Sequence, residues 1–452
     1  SKHKNQNGWV MARKLTQAIS FFLFFAAILF SRTGGLSPVW TDFTVRLSPL
    51  SSLSNLLSSK TFLTWSTLSL VLLVSSLIFG RAWCGWLCPL GTLLNFFRFS
   101  RRNQITPPQD LRKLKYGLLI FILVAAIFGN LTFLSLDPLT IFSRASTLTI
   151  IPILDKIIYT LESTLAKIPF LANGVYTFDA WLRPAILPQA AVSIQYSFLV
   201  GLFLIGLILL NLIAERFWCR YLCPLGAMLG LISKIALFQR RPKQDCTECG
   251  LCAKSCPTGT IDAENGFNSD PAECILCMDC HQACKKSAFT FKPQWKPASW
   301  KTYDPNRRTF LSATVVAITP VALFSVNWIK KTAKNFLLRP PGVNNEMDFL
   351  SKCIRCGVCL QVCPTQGLQA DFTQSGVEGM WTPILIPRNG FCQYSCNACG
   401  QNCPVQAIPP LPLAEKQQAV IGHAYIDHNR CIAWANHENC IVCEEMCPLP
   451  EK

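Results

Sequence analysis

The chain has 452 residues, half of them hydrophobic, and it combines 24 cysteines with a formal net charge of +17. A secreted disulfide scaffold would be much shorter, and the cysteines here fall into groups of four, so their number indicates thiolate metal sites. The excess positive charge lies in residues 1–329 beside apolar runs, which is the pattern of a membrane protein with basic loops on the cytoplasmic side. The sequence contains no basic recognition motif, so nucleic-acid binding is not predicted.

Four apolar stretches in the first half of the chain predict transmembrane helices, because each approaches the ~20 residues that span a bilayer. They cover about residues 15–30, 62–79, 114–136 and 196–214. No small-residue cleavage site precedes Arg32, so the first stretch is predicted to be a retained helix and not a signal peptide.

The distribution of lysine and arginine predicts how these helices are oriented. Residues 81–115 and the segment from Arg216 onward are basic, whereas residues 31–60 and 136–194 carry few positive charges. Basic loops stay in the cytoplasm. The N-terminus is therefore predicted to be cytoplasmic, in the inner membrane of a prokaryote.

The first half also contains an internal repeat. Residues 62–79 are followed, after Gly80, by R-A-W-C-G-W-L-C-P-L-G, and residues 196–214 are followed by E-R-F-W-C-R-Y-L-C-P-L-G, with an insertion at about 150–194 in the second copy. The motifs contain the pairs Cys84 and Cys88, and Cys219 and Cys223. A spacing of four residues puts each pair on one helical face. We predict a redox or metal role, either in an iron–sulfur cluster or another metal site or as a redox dithiol; the alternative is small buried apolar residues.

Residues 241–295 contain two runs with the spacing C-x2-C-x2-C-x3-C, which wraps thiolates around an iron–sulfur cluster. In such tandems the fourth cysteine of each run ligates the other cluster, so the spacing predicts an α+β ferredoxin-like domain with two 4Fe-4S clusters. The predicted ligands are Cys246, Cys249, Cys252 and Cys284 for one cluster, and Cys274, Cys277, Cys280 and Cys256 for the other. Two structural zinc sites are the alternative, although zinc motifs require neither the third cysteine of a run nor a proline after the fourth.

The repeated C-x3-C-P-L-G segments followed by two ferredoxin runs resemble the NapH-type membrane polyferredoxins, a family of quinol dehydrogenases with NosR and CcoG relatives. The resemblance covers about residues 10–295. It implies an α-helical transmembrane domain over residues 10–240, with four helices arranged as two repeated hairpins. It also implies a cytoplasmic ferredoxin domain over residues 241–295 and electron transfer from quinol.

Residues 296–335 are predicted to form a linker and a fifth anchor helix, which covers the apolar residues 309–328. Arg307 and Arg308 resemble the paired arginines of a twin-arginine signal, which exports folded domains that already hold their cofactors. The alternative is that they are ordinary inside-facing anchors, and the lysines at 330–334 argue against export. The charge-neutral composition of the remaining chain favours a periplasmic location.

Three more groups of four cysteines lie in residues 336–452. The first keeps the standard spacing, and the other two lengthen its first interval. Disulfides are the alternative in an exported domain, but cysteines two residues apart rarely suit disulfide geometry. The groups predict two to three 4Fe-4S clusters with the candidate ligands Cys353, Cys356, Cys359, Cys363, Cys392, Cys396, Cys399, Cys403, Cys431, Cys440, Cys443 and Cys447.

Residues 339–450, including C-I-R-C-G-V-C-L-Q-V-C-P-T, resemble the NapG/MauM-type exported ferredoxins. That family pairs the first of four cysteine groups with the fourth and the second with the third. The resemblance implies one cluster on Cys392, Cys396, Cys399 and Cys447, and another on Cys431, Cys440, Cys443 and Cys403. The first group here would then lack a fourth ligand. Either the first or the middle group closes on its own, or, as we favour, the chain continues beyond Lys452 with a further group.

Asp137 is a further candidate, because it lies in the S-L-D-P-L segment where the first repeat copy has Ser48. It either caps a turn before Pro138 or accepts a proton from quinol at the outer face. No Ser/His/Asp set, phosphate loop or dinucleotide fingerprint is found in the sequence, which argues against hydrolase, kinase and NAD-dependent chemistry.

Together these features predict a five-helix iron–sulfur protein in membrane lipid with a ferredoxin domain on each side. The predicted function is electron transfer between the menaquinone or quinone pool and a periplasmic cytochrome c or reductase, as a subunit of a quinol-linked complex. A maturation or regulatory protein that services a partner's metal centre is the alternative, and a zinc scaffold is a second one. The ~30 Å hydrocarbon core is too thick for one electron-transfer step, so an intermediate carrier is required.

Overall fold

The computed structural model describes residues 2–30, 43–60, 67–98, 108–185, 197–293, 337–372, 374–445 and 447. The predicted fifth helix, Arg307, Arg308, the lysines at 330–334 and the first residues of the second and fourth predicted helices (62–66 and 196) lie outside the described residues. The described residues form a helical domain (2–233), a first cysteine domain (238–293) and a second cysteine domain (337–447).

The helical domain contains twelve α-helices in its described residues. They are α1 Lys2–Phe30, α2 Phe43–Arg46, α3 Pro49–Ser59, α4 Thr67–Phe79, α5 Ala82–Trp86, α6 Pro89–Phe96, α7 Lys113–Ile127, α8 Pro138–Ala145, α9 Ile151–Leu165, α10 Pro169–Ala185, α11 Ser197–Leu209 and α12 Pro224–Ser233. Short 3-10 helices cover Gln109–Arg112, Thr132–Leu136 and Leu210–Leu212. Two wider π-helical turns, Ser146–Ile150 and Trp218–Leu222, complete the domain, and such turns are frequent at functional sites.

The two cysteine domains combine short helices with two-stranded antiparallel sheets, in agreement with the α+β prediction. In the first domain β1 (Phe238–Pro242) pairs with β4 (Phe289–Pro293) and β2 (Ile261–Asp262) pairs with β3 (Asn268–Ser269), beside α13 (Leu251–Ser255) and α14 (Asp279–Ala283). In the second domain β5 (Leu368–Ala370) pairs with β6 (Pro383–Leu385). Its helices are α15 Glu346–Lys352, α16 Val358–Gln361, α17 Ala398–Gln401, α18 Leu413–Gln418, α19 Ile432–Ala435 and α20 Val442–Glu445.

The two copies of the repeated sequence contact each other through equivalent helix caps. Ser48 caps α3 through the backbone N–H of Ser51, and Asp137 caps α8 through the N–H groups of Leu139 and Thr140. A proline follows each cap at the first helical position. The Ser48 hydroxyl donates to Asp137 Oδ1 over 3.0 Å. Equivalent residues of the two copies therefore meet in the interior of the helical domain.

One helix among the described residues is long and apolar enough to cross a membrane, namely the part of α1 from Gly8 to Phe30. Shorter apolar helices cover Thr67–Phe79, Ser197–Leu212 and Pro224–Ser233. The third predicted stretch is wrong in its length, because α7 ends at Ile127 and does not continue to residue 136. Gly129 has φ +78°, and Asn130 Oδ1 accepts the N–H of Thr132, so a tight turn replaces the last turns of the predicted helix.

The first cysteine domain packs against one end of the helical domain through buried ion pairs. Glu273 pairs with Arg81 over 3.1 Å and also with Lys115. Arg13 of α1 pairs with Asp279 over 2.8 Å. Because a buried charge is costly without a partner, these pairs fix the domain in one position.

The second cysteine domain packs against a different end of the helical domain. Asn55 of α3 donates to the carbonyl of Lys352 over 2.9 Å, and Ser143 of α8 donates to the carbonyl of Cys356 over 3.3 Å. Gln361 of α16 donates to the carbonyl of Ile28 in α1. The two cysteine domains thus contact α1 at separate points, one at Arg13 and the other at Ile28.

Candidate iron–sulfur sites

Cysteines from both runs of the first cysteine domain line one cavity. Cys256 of the first run lines this cavity together with Cys274, Cys277 and Cys280 of the second. Burial, with a further contribution from nearby Cys256, raises the pKa of Cys274 to about 11 and that of Cys280 to about 12. Such thiols become thiolates only beside a compensating cation, for example iron. The structure brings together the four cysteines that the spacing predicts for one cluster.

The other predicted set in this domain lies nearer the surface. Cys246, Cys252 and Cys284 pack around one small hydrophobic core, whereas Cys249 is exposed. The sulfur of Cys284 accepts the backbone N–H of Ala288 over 3.4 Å. This second set is therefore more open to solvent than the first.

Three cysteine runs bend the backbone in the same way. In each run the residues immediately before and after the second cysteine have positive φ: Glu248 and Gly250, Leu276 and Met278, and Arg355 and Gly357. Successive N–H groups in such turns form concavities that bind anions, including iron–sulfur clusters. Four of these six residues are not glycine, and each costs on the order of 1 kcal/mol in this conformation. Strain of this kind is common where the backbone encloses a ligand.

The first group of the second cysteine domain pairs differently from the arrangement that the family resemblance implies. One cavity is lined by Cys353, Cys356 and Cys359 together with Cys403, so this group has a fourth cysteine within the chain. The prediction that Cys403 joins the third group is wrong. The segment after Cys403 turns back towards the first group, and its residues Pro404, Val405, Ala407 and Ile408 line the same cavity.

The middle group receives its fourth cysteine from the first group. Burial raises the pKa of Cys399 to about 12, and the nearby thiols of Cys392, Cys363 and Cys396 raise it further. These four cysteines therefore form a second crossed set, in which Cys363 stands where the resemblance placed Cys447. The third group is left as a set of its own, in a segment that is largely exposed: Cys431, Cys440, Cys443 and Cys447.

The four cysteines of the helical domain meet in one buried site. Burial raises the pKa of Cys88 and Cys223, and cysteines of the other repeat copy raise both values further. The two sulfurs accept backbone N–H groups in equivalent ways, from Gly91 over 3.4 Å and from Gly226 over 3.2 Å, at the N-termini of α6 and α12. Cys84 and Cys219 are also buried, so each copy contributes two thiols.

Two arginines that the sequence analysis did not select border this site. Arg81 and Arg216 each precede the first cysteine of a motif by three residues, and both are buried. Arg216 Nη1 donates to the carbonyl of Cys84 over 2.9 Å, and Arg81 Nη2 donates to the carbonyl of Cys219 over 3.4 Å. The sequence feature that could have identified both arginines is the R-x2-C pattern, which occurs in both copies of the repeat.

A second pair of buried arginines lies where the second cysteine domain meets α8. Arg144 stacks on Trp381 with its guanidinium carbon 4.1 Å from the ring centre, and Arg355 donates to the carbonyl of Cys353 over 2.9 Å. Within the described part of the chain, Nε and Nη1 of Arg144 have no hydrogen-bond partner. Burial and the charge of Arg355 lower the pKa of Arg144 to about 9. The cavity of the first group therefore has buried positive charge beside it.

Asp137 is fully buried and acts as a helix cap. Burial raises its pKa to about 6, although hydrogen bonds from Thr140, Ser48 and Leu139 oppose the rise. Of its two predicted roles, the cap is present in the structure, and proton transfer from quinol stays a prediction.

The donor sets fit 4Fe-4S clusters in type and number. All 24 cysteines lie within the described residues, and all carry free thiols. Among those residues, no three His, Cys, Asp or Glu side chains converge on a single metal ion. A 4Fe-4S cluster takes one thiolate for each of its four irons, and each of the cysteine sets supplies four.

Comparisons with known families bear on both halves of the chain. A family model described as a 4Fe-4S binding domain matches residues 61–107 and 196–243, which contain the two repeated motifs. A second model with the same description matches residues 243–262 and 349–369, in the two cysteine domains. No solved structure gives a significant match.

Curated relatives match different parts of the chain. It is 31% identical over 230 residues to protein NirI of Paracoccus denitrificans, which covers 48% of this chain and 26% of NirI. It is 28% identical over 242 residues to the proposed electron transport protein YccM of Escherichia coli, 51% of this chain and 56% of YccM. It is 30% identical over 164 residues to the methylamine utilization ferredoxin-type protein MauM of Methylorubrum extorquens, 34% of this chain and 71% of MauM. The chain thus spans about a quarter of NirI and about half of YccM. It belongs to the family of ferredoxin-type proteins with 4Fe-4S binding domains that includes MauM.

Proposed function

We propose that this ferredoxin-type protein is a membrane-bound electron-transfer subunit that connects the quinone pool with a redox partner on the periplasmic side. Family membership supports electron transport by 4Fe-4S clusters. The NapH-type resemblance of residues 10–295 supports quinol as the donor. A cytochrome c or a reductase would accept the electrons.

The observation that carries this proposal is that α1 contacts both cysteine domains. Arg13 pairs with Asp279 and donates to the carbonyl of Cys277 in the first domain. Ile28 accepts a hydrogen bond from Gln361, two residues after Cys359 of the second domain. Helix rises ~1.5 Å per residue, so these contacts are about 22 Å apart along α1, less than the ~30 Å hydrocarbon core. One helix able to cross a membrane therefore holds both ligand loops within a short distance of each other.

Each cluster, when bound, supplies a one-electron store, and the chain supplies its ligands and its surroundings. We propose two clusters in the first domain on the crossed sets described above. The second domain would hold three, on Cys353, Cys356, Cys359 and Cys403, on Cys392, Cys396, Cys399 and Cys363, and on Cys431, Cys440, Cys443 and Cys447. The buried side chains around them exclude water and fix the ligand loops in place.

The charge of the helical domain supports a cytoplasmic first domain. Five basic residues of the helical domain bond directly to the first cysteine domain: Arg13, Arg81, Arg98, Arg112 and Lys115. Basic residues stay on the cytoplasmic side of a membrane. A reporter fused after Lys334 should be active only when placed in the periplasm, and a reporter that works in the cytoplasm would contradict this orientation.

The function is tested anaerobically with the purified, oxidised protein. A reduced menaquinol analogue is added, and the clusters are followed by EPR spectroscopy. The proposal predicts that cluster signals appear at rates compatible with turnover. Reduction by dithionite without any reduction by quinol would contradict a role as quinol-linked subunit and favour the alternative, a protein that services the metal centre of a partner.

A further inference from the structure

The site shared by the two repeat copies has features that neither copy could provide alone. Each copy brings an arginine, two thiols and a helix N-terminus, and each arginine donates to the carbonyl of the other copy's first cysteine. Cys88 and Cys223 accept equivalent N–H groups from Gly91 and Gly226. A single copy has two thiols, whereas a 4Fe-4S cluster requires four.

The charge around this site indicates that its ligand is an anion. Three basic side chains are buried beside it, those of Arg81, Lys115 and Arg216. Among the described residues, Glu273 is the only buried carboxylate bonded to any of them. The balance of three positive charges and one negative charge is a surplus of two positive charges. Nε of Arg81 and Nε of Arg216 are buried and have no hydrogen-bond partner in the same part of the chain. Helix N-termini add partial positive charge. An oxidised 4Fe-4S cluster with four thiolates carries two negative charges, which matches this surplus.

The packing at the motif glycines leaves little freedom for the ligand loops. A Cβ on Gly226 would lie 2.7 Å from Arg81 Nη2, and a Cβ on Gly85 would lie 2.2 Å from the carbonyl oxygen of Ile275. Gly85 is therefore in direct contact with the loop that carries Cys277. Trp86 Nε1 strengthens this contact by donating to the carbonyl of Leu276 over 2.9 Å.

The site also lies between the two cysteine domains. Gln17 and Ser20 of α1 donate to the carbonyls of Gly85 and Leu87 over 2.6 Å and 2.8 Å. Ser20 is about 10 Å along α1 from the contact at Arg13 and about 12 Å from the contact at Ile28. On the far side, α6 packs against α8, whose Ser143 donates to the carbonyl of Cys356.

From these observations we infer that Cys84, Cys88, Cys219 and Cys223 together hold one further 4Fe-4S cluster, balanced in charge by Arg81 and Arg216, that relays electrons between the two cysteine domains. The relay role rests on the proposed function, whereas the metal site stands on the geometry alone. In the relay one electron leaves a reduced cluster of the first domain, reduces this centre, and then passes to an oxidised cluster of the second domain. No bond forms or breaks, and no proton is required.

The metal site is tested in the purified protein with the double variant Cys84→Ser and Cys219→Ser. Compared with wild type, it should lose the iron and acid-labile sulfide of one cluster, while the EPR signals of the ferredoxin clusters remain and report an intact fold. Loss of zinc or copper with unchanged iron would overturn the inference, and so would unchanged content of all three metals. The test does not involve quinol, so a failure of the quinol reaction would leave its result unaffected.

Arg216→Met provides a second test that keeps all four thiols, in case the double variant does not fold. Removal of a buried cation should make one cluster harder to reduce and leave the others unchanged in a redox titration. A titration identical to wild type would overturn the inference.

The relay role has its own test in the double variant Cys84→Ser and Cys219→Ser. Rapid-freeze EPR should show that electrons pass from the reduced first cysteine domain to the second at least tenfold more slowly than in wild type. An unchanged rate would refute the relay.

Discussion

Replacement of Glu273 by glutamine should weaken the attachment of the first cysteine domain to the helical domain. Glu273 is 4% exposed, and its partners Arg81 and Lys115 are 1% and 0% exposed. Although burial raises the pKa of Glu273, Lys115 and Arg81 hold it below its usual value, so the carboxylate is ionised at neutral pH. Removal of one member of a buried ion pair costs about 3–5 kcal/mol, because the remaining charges stay buried without a counter-ion.

The effect is measured as the loss in free energy of unfolding, with the holoprotein in detergent and tryptophan fluorescence as the signal. Trp86 lies near the affected contact and is one of twelve tryptophans that contribute to this signal. Glu264→Gln is the matched control, since Glu264 is an exposed carboxylate of the same domain and its replacement should change stability by less than about 0.5 kcal/mol. The folded pKa of Glu273 is depressed, so its contribution is present above the unfolded value of ~4.3 and is lost as pH falls through the folded value. If Glu273→Gln and Glu264→Gln unfold alike at neutral pH, the reasoning is refuted.

Cys403→Ser should remove the cluster signal of the Cys353–Cys359 run in EPR spectra, and Cys447→Ser should leave that signal in place; the opposite result would restore the pairing implied by the family resemblance. Arg144→Met should lower the reduction potential of the same cluster by on the order of 50–100 mV, because a buried positive charge favours the more negative reduced form, and an unchanged redox titration would contradict this. Asp137→Asn should keep the helix cap and remove a pH dependence of stability. Burial raises the pKa of Asp137 to about 6, so the folded wild type holds its proton more tightly than the unfolded chain, and its stability should fall by up to about 3 kcal/mol between pH ~4 and ~6 and then stay level. Parallel thermal-unfolding profiles of wild type and variant over that range would count against it.

The cysteine pairings show where sequence reasoning succeeds and where it does not. In the first domain the spacing of two adjacent runs predicted the set of Cys256 with Cys274, Cys277 and Cys280, because in such tandems the fourth cysteine of each run ligates the other cluster. The same local rule applied to the first two groups of the second domain gives the set that contains Cys403. The pairing implied by the family resemblance gave a different partner for Cys403, since it assigned this cysteine to the third group, whereas the structure places it with Cys353, Cys356 and Cys359.

The helical domain depends more on contacts that the sequence does not reveal. Apolar stretches located α1, α4, α7 and α11, but the end of α7 is set by the turn at Gly129 and Asn130. The buried arginines were missed because their partners are remote: Arg81 and Arg216 bond to carbonyls 138 and 132 residues away. In the sequence they count only as basic loop residues that predict membrane orientation. In the folded structure each is buried and donates to a carbonyl of the other repeat copy.

Electron flow from quinol to the outer side of a bilayer tests the account most directly. The holoprotein is reconstituted anaerobically into menaquinol-loaded vesicles, its orientation is determined, and an impermeant oxidant is supplied either outside or inside. The account predicts that the oxidant is reduced rapidly when it faces the second cysteine domain, and that the double variant Cys84→Ser and Cys219→Ser is slow in the same assay. Reduction at equal rates on both sides, or none above the rate of vesicles without protein, would contradict it.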